Sequence, residues 1–302
     1  MAVGPSASFQ GGREMSLPRL SIAAVTTYGA PVEVDIAACK AAGAPGIGIW
    51  EFKLPPSGRD DDVVAAVREA GLRATLCTGT VPSVYPDAYF TEPSEPAERV
   101  KAMCASIERL AAFDPVAVLC VTGDPRGRDV EEMRRVTVEG LRTVARFAAS
   151  LGITIGLEPY RADAGSLVTT LPDTVRLIDD VGEPNVAVIA DTWHFWDLPG
   201  IEADLARFAD RLVGVQINDR RDPYLGWCDR RLPGDGKIDL RSIFGVLDAA
   251  GYDGWYDVEV FSDDGRFGSA VPDSVWALDP YEVCRRCVSS FERLWSERRR
   301  PA

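Results

Sequence analysis

One histidine occurs in the whole chain, and it follows an aspartate by three residues, in Ile189-Ala190-Asp191-Thr192-Trp193-His194. A carboxylate and an imidazole this close are groups that ligate metals and move protons. The preceding run, Val186 to Ala190, is short and β-branched and follows the turn signal Gly182-Glu183-Pro184-Asn185. It reads as a buried strand with Asp191 at its C-terminal end. Taken alone, the pair also fits an Asp capping a loop with a satisfied histidine nearby. Three more strand-like runs carry oxygen-bearing side chains at the same end: Ile153 to Leu157 stops at Glu158, Leu212 to Ile217 carries Gln216, and Trp255 to Val258 stops at Glu259. In the second of these, Val213, Val215 and Ile217 alternate with Gly214, Gln216 and Asn218, so Gln216 is expected on the face opposite the apolar one. Ile153, Ile155 and Leu157 oppose Thr154, Gly156 and Glu158 in the same way.

Three acids converging on one mouth repel each other unless a cation neutralises them or their pKa values rise. The economical reading is a divalent metal held by Glu158, Asp191, Gln216 and Glu259. This all-oxygen set favours Mn²⁺ or Mg²⁺ over zinc, with Co²⁺ or Ni²⁺ able to bind in vitro. Each residue singly has an ordinary alternative: Glu158 before Pro159 as a loop acid, Glu259 pairing an arginine, Gln216 bonding backbone.

Those side chains need a scaffold that brings strand ends together. Strand-like runs begin at Leu20, Gly46, Arg73, Val116, Ile153, Val186, Leu212 and Trp255. Helical spacing follows each, over Val32 to Ala42, Asp60 to Ala70, Arg99 to Ala112, Asp129 to Leu151, Leu171 to Val181, Ile201 to Phe208, Leu240 to Ala250 and Pro280 to Arg298. Eight such units without a linker predict an α/β fold, a single-domain (β/α)8 TIM barrel over 17–302, with 1–16 as a disordered tail. In that fold catalytic groups sit at the C-terminal ends of strands. A long Pro/Tyr-rich loop from Val81 to Pro96 is expected to be functional.

Composition narrows the partners. A chain of 302 residues with 46% apolar content buries a large core, and a net charge of −13 argues against nucleic acid or an anionic membrane. Seven cysteines without framework spacing imply reduced thiols and a cytoplasmic setting, with Cys284 and Cys287 as packing on the last helix. No apolar run approaches a membrane span. The partner is expected to be a small molecule.

The ordered motifs Gly156-Leu-Glu158-Pro, Ala190-Asp191-Thr-Trp-His194, Val215-Gln216-Ile-Asn-Asp219, Pro233-Gly-Asp-Gly236 and Gly251-Tyr-Asp-Gly-Trp-Tyr-Asp-Val-Glu259 together resemble the xylose isomerase-like TIM-barrel superfamily. That group includes sugar isomerases, ketose 3-epimerases, inosose dehydratases, 3-dehydroshikimate dehydratases and endonuclease IV. The resemblance spans roughly Leu20 to Trp295. It implies a metal set Glu, Asp, His, Glu with a further histidine three residues after the Asp. Glu158, Asp191, Glu259 and His194 match, whereas Gln216 stands where epimerases carry histidine and is more similar to the 3-dehydroshikimate dehydratases.

The resemblance also implies that Glu158 and Glu259 are both ligands and the acid–base pair, with His194 donating a proton or holding a substrate oxygen. The expected function is a metal-dependent isomerase or epimerase acting on a polyhydroxylated carbonyl compound. The alternatives are a dehydratase and a non-catalytic accessory barrel, the last disfavoured because a binder needs no pair of bases. Endonuclease chemistry is set aside because its trinuclear zinc site takes several histidines. Similar proteins are often dimers or tetramers, so the resemblance also implies a homo-oligomer.

Further substrate contacts are expected from Arg231, before the Pro233-Gly-Asp-Gly236 loop, and from Trp193 and Glu51. Glu51 and Lys53 read first as a solvated pair, and Arg231 reads equally as a surface arginine. Trp50, Trp193, Phe195, Trp196 and Trp227 are candidate apolar walls.

Overall fold

The computed structural model describes residues 19–56, 59–87, 90–223 and 225–299, so the expected tail at 1–16 lies outside the described residues. The barrel strands are β1 (Arg19–Ala23), β2 (Gly46–Gly48), β3 (Arg73–Ala74), β4 (Leu76–Ser83), β5 (Ala117–Val121), β6 (Ile155–Leu157), β7 (Val186–Asp191) and β8 (Leu212–Ile217). A hairpin of β9 (Asp219–Arg220) and β10 (Arg230–Arg231) follows, and β11 (Trp255–Val258) completes the barrel. The helices are α1 (Val32–Ala42), α2 (Asp60–Ala70), α3 (Pro96–Ala111), α4 (Val130–Ser150), α5 (Leu171–Val181), the single turn α6 (Thr192–Phe195), α7 (Ile201–Arg207), α8 (Leu240–Ala249) and α9 (Pro280–Ser296).

Nine parallel segments pair in the order β3-β2-β1-β11-β8-β7-β6-β5-β4. The third expected strand is broken at Thr75: β3 pairs back to β2, and β4 pairs on to β5. These are two halves of one strand position, and a parallel bridge from Trp50 to Thr78 helps close the ring there. Eight positions, each followed by helix, make the expected (β/α)8 barrel. Local chemistry sets the helix ends. Thr170 caps α5 by accepting from the Asp173 N–H at 3.2 Å, and Gly182, at φ 73°, lets the chain leave α5 in a conformation a Cβ disfavours.

Alternation along each strand divides the core in two. Val118, Cys120, Ile155, Leu157, Val188, Ala190, Val215, Ile217 and Val258 join the large core under the helices. Leu76, Ala117, Leu119, Val121 and Ile189 fill the barrel interior. Each such side chain contributes roughly 1.5–3 kcal/mol by leaving water. Val213 corrects the sequence pattern. The β7–β8 register slips between Val188↔Leu212 and Ile189↔Gly214, so Val213 is a bulged residue. It packs with the interior cluster, not with Val215 and Ile217.

All seven cysteines are free thiols. Cys284 and Cys287 are buried one turn apart on α9, with the Cys284 Sγ 4.0 Å from that of Cys39, which is packing as expected. No described helix is long and apolar enough to cross a membrane.

Candidate functional site

Asp191 ends β7, and in-register pairing sets it beside Gln216 of β8, which in turn faces Asp257 of β11. Glu259 follows β11 directly, two residues beyond Asp257, its N–H on the Ile217 carbonyl at 3.1 Å. Glu158 follows β6, its N–H fixed on the Cys120 carbonyl at 2.9 Å. All four expected ligands are buried: Glu158 is 2% exposed, Asp191 0%, Gln216 1% and Glu259 3%. The Gln216 amide donates to Glu259 Oε1 at 2.6 Å. Asn218, whose barrel-facing position the strand alternation gave but whose role it did not, donates to Asp191 Oδ1 at 2.8 Å and to the Glu259 carbonyl at 3.2 Å.

Burial pushes these acids up. The Glu158 carboxyl is raised well above its ordinary range by loss of water, then by Glu259 and Asp191. Glu259 rises to about 8 and Asp257 to about 7, both chiefly by burial. Asp191 is raised by burial and held back by Arg230 and by N–H donors from Trp193 and Asn218.

The cation that accompanies these acids is Arg230, a residue the sequence reading missed by one position. Its Nη1 donates to Asp191 Oδ2 at 2.8 Å and to Glu259 Oε2 at 3.0 Å. The guanidinium also lies over the rings of Phe261, at 4.7 Å, and Trp193, at 5.3 Å. The hairpin positions it. Arg230 pairs with Arg220 and Arg231 with Asp219, so successive arginines face opposite ways. Arg230 turns into the barrel mouth at 5% exposure, while Arg231 turns out to Asp273, with Nη2 2.6 Å from Oδ2. Buried Asp219 ties down the loop behind them by accepting from the N–H groups of Arg220, Gly234 and Ile238 at 2.8–3.0 Å. A Cβ on Gly236 would stand 2.4 Å from the Arg220 carbonyl oxygen, which accounts for the glycine in Pro233-Gly-Asp-Gly236.

His194, on α6, is 5% exposed and stacks on Tyr160 with ring centroids 4.5 Å apart. Its Nδ1 accepts the Arg161 backbone N–H at 3.1 Å, so a neutral ring carries its proton on Nε2. That nitrogen lies 3.6 Å from Glu158 Oε1 and 3.8 Å from Asp191 Oδ2. Burial, with Arg230 and Arg161 nearby, holds the imidazole pKa well below 6.5. His194 is therefore a neutral donor facing the acids.

These groups open into a cavity of about 500 Å³. Glu158, Glu259, His194, Arg230 and Trp193 line it, and so do Tyr160, Phe90, Phe261 and Phe267, which the sequence did not single out. Other expectations are corrected by where the side chains point. Arg231 is absent from the cavity wall. So is Glu51, whose Oε2 accepts from Thr80 N and Oγ1 at 2.9 and 3.1 Å, and whose Oε1 lies 3.6 Å from Arg109. Glu51 and Lys53 are no solvated pair either: Lys53 is buried against Asp35 at 2.5 Å and the carbonyls of Ala24 and Thr27. Of the aromatic candidates, Trp50, Trp193 and Trp227 line the cavity, whereas Phe195 and Trp196 pack into the outer core.

The donor set fits a hard cation. Glu158 Oε1 and Gln216 Oε1 are buried oxygens with no hydrogen-bond partner, beside two further carboxylates. Ligand atoms of Glu158, Asp191 and His194 lie within 4.8 Å of one another. The buried oxygens of Gln216 and Glu259 stand beside this group and add to the oxygen donors that could hold a cation there.

A family model described as xylose isomerase-like TIM barrel matches residues 36–286. An inosose dehydratase of Klebsiella pneumoniae is 29% identical over 161 residues, 47% of this chain and 52% of that protein. A D-psicose 3-epimerase of Agrobacterium fabrum is 31% identical over 140 residues, 46% and 45% of the two chains. The matched stretch thus spans about half the length of these curated relatives. Among solved structures, protein SMc04130 of Sinorhizobium meliloti superposes with a TM-score of 0.77 at 24% identity, covering 91% of this chain and 98% of that one. The IolI protein, solved with a bound zinc atom, gives 0.76 at 19%, covering 93% and 99%. These last two likenesses show the fold. With its family model spanning all but the ends and the strand-end acids set as the barrel requires, the chain belongs to the xylose isomerase-like TIM-barrel family.

Proposed function

We propose that the chain is a divalent-metal-dependent enzyme that removes a proton from carbon next to the carbonyl of a polyhydroxylated substrate, and returns it as an isomerase or epimerase. The observation that carries this reading is the placement of Glu158 and Glu259. Both are buried with raised pKa, and β7 and β8 separate their strands, so they address the cavity from two sides. Carboxyl groups on two sides of a substrate carbon can take a proton from one face and return it to the other. Glu158, Asp191, Gln216 and Glu259 would hold Mn²⁺ or Mg²⁺, which would supply Lewis-acid stabilisation of an enediolate. His194 donates its Nε2 proton in a hydrogen bond to a substrate oxygen. Arg230 neutralises Asp191 and Glu259 in the metal-free chain and is freed for a substrate oxygen when another cation takes over those acids. Trp193 and Tyr160 wall the reacting end from water.

Gln216 favours a second reading. A dehydratase, as in the inosose dehydratase relatives, uses the same proton abstraction and then expels a β-hydroxyl, with a neutral donor assisting departure. The test is an assay of the Mn²⁺-loaded protein in D₂O against ketoses, inososes and 3-dehydroshikimate, followed by proton NMR. Deuterium beside the carbonyl without loss of water supports the first reading, and an olefinic or aromatic product supports the second. No exchange with any substrate, together with unchanged metal binding in Glu259→Gln, refutes both.

A further inference from the structure

His194 is the only histidine of the chain, and one dipeptide holds it by three contacts. The Tyr160 ring lies against the imidazole with the two planes 18° from parallel, which fixes the plane of the ring. The Arg161 backbone N–H on Nδ1 fixes its rotation within that plane. A half-turn about χ2 would bring a ring carbon to that N–H, so this one bond selects both the flip and the tautomer.

The third contact passes around the ring. The Arg161 guanidinium pairs two-pronged with Asp197, Nη1 to Oδ1 at 2.6 Å and Nη2 to Oδ2 at 3.3 Å. Asp197 stands three residues after His194, just past α6, where Trp196 N–H closes on the Thr192 carbonyl at 3.1 Å and Leu198 N–H on the Phe195 carbonyl at 2.9 Å. Residue 161 therefore grips this turn at both ends, by its main chain at 194 and its side chain at 197. Further along the same loop, Thr122 Oγ1 accepts the Leu167 N–H at 3.0 Å and lies 3.0 Å from Ser166 Oγ, which ties the segment down a second time. Glu158 precedes the dipeptide by two residues. One stretch of chain thus sets the spacing of Glu158 and His194 across the ends of β6 and β7.

Asp197 is not on the cavity wall, and its side chain and that of Arg161 are 35% and 22% exposed. An ion pair so near the surface adds little to stability. What it can do is hold Arg161 in place. Resting on the functional reading above for its chemical consequence, we propose that Asp197 is a positioning residue: by holding Arg161 it keeps the Arg161 peptide N–H on His194 Nδ1, and so keeps the Nε2 proton aimed at the substrate.

The experiment uses the single histidine. The full chain, labelled with ¹⁵N-histidine and loaded with diamagnetic Mg²⁺, shows imidazole nitrogen signals from one residue only. The parent is expected to show a protonated Nε2 and an unprotonated Nδ1. Asp197→Ala is expected to move both signals towards the average of the two tautomers. Asp197→Asn, which keeps the shape and loses the charge, is read in the same way should the alanine variant not fold. Asp179→Ala, which loses an exposed pairing with Arg211 at 2.7 Å, is expected to leave both signals in place. On a substrate that the exchange assay finds, Asp197→Ala is expected to lower kcat by about 10- to 100-fold with KM near the parent's, the range for losing an outer partner that orients a working histidine. Arg161→Met combined with Asp197→Ala is expected to cost no more than Arg161→Met alone, because one residue acts through the other. Parent-like nitrogen signals in a folded Asp197 variant overturn the inference, as do additive losses in the double variant. If no substrate reacts, the functional reading fails by itself, and the nitrogen signals still decide the positioning role.

Discussion

Replacing Arg230 by methionine keeps an unbranched stem of similar reach and removes the charge that Asp191 and Glu259 share at 2.8 and 3.0 Å. Two effects of opposite sign follow. Without metal, buried carboxylates lose their counter-ion, a change that costs about 3–5 kcal/mol when nothing compensates. For a chain of this length that lowers Tm by roughly 5–10 °C, less where the acids take up protons. With metal, the balance reverses. Like unit charges about 4 Å apart at an effective dielectric near 20 repel by ~4 kcal/mol. Relief of a third of that, about 1.4 kcal/mol, tightens a dissociation constant tenfold. The assay is Mn²⁺ titration by electron paramagnetic resonance and calorimetry without substrate, alongside thermal melts of stripped and loaded protein. Arg231→Ala, which loses only an exposed pairing with Asp273, serves as the control and is expected to leave Mn²⁺ affinity within about twofold. A folded Arg230→Met protein that binds Mn²⁺ no more tightly than the parent would falsify the idea that guanidinium and metal compete for the same oxygens.

The metal-stripped protein is expected to lose stability as pH rises from about 5.5 to 8.5. Glu259 and Asp257 are raised to about 8 and about 7 from ordinary values of 4.5 and 3.8, so the folded chain binds more protons in that window, and their contribution, complete below the unfolded values, disappears through the folded ones. His194, depressed below 6.5, opposes them only on the acid side. Melts across pH, flattened by added Mn²⁺, check this, and a Tm that climbs to pH 8.5 without metal refutes it. Gln216→His exchanges an oxygen donor for nitrogen and is expected to shift preference towards Zn²⁺ over Mn²⁺ by about tenfold or more in competition titrations; unchanged preference removes Gln216 from the ligand set. Asp219→Ala leaves three backbone N–H groups without their acceptor and is expected to cost about 2–4 kcal/mol by denaturant unfolding, with faster hydrogen exchange at Gly234 and Ile238; wild-type exchange there refutes the anchoring role.

The barrel and its strand-end acids were legible because strand-like runs and helical spacing alternate eight times along the chain. Gln216 and Glu158 stand on the barrel-facing side that alternation assigns them, and Asp191 and Glu259 stand at the strand ends where the sequence put them. Val213 was not legible, because a bulge depends on how β7 pairs with β8, and nothing in Leu212 to Ile217 alone encodes the slip. Arg230 and Arg231 are chemically alike and adjacent. Choosing between them needs the facing of a two-residue hairpin strand, which is set by distant Asp219 and Phe261. Glu51 misled for a similar reason: it follows β2 as a barrel acid should, but Thr80 on the next strand position captures its carboxylate. The neutral state of His194 depends on a backbone N–H at Arg161, which no side-chain motif announces.

The hairpin that carries Arg230 lies outside the barrel sheet, whereas every acid it neutralises is carried by a barrel strand. Charge and counter-charge are thus on separable parts. Grafting a different connection between residues 219 and 238 would convert the mouth from self-neutralised to metal-demanding without altering a residue of a barrel strand. The converse graft would give a metal-dependent relative an internal cation. A graft that keeps apolar side chains at Cys228, Leu232 and Ile238, which pack into the cores, would test whether a connection of some twenty residues sets that demand.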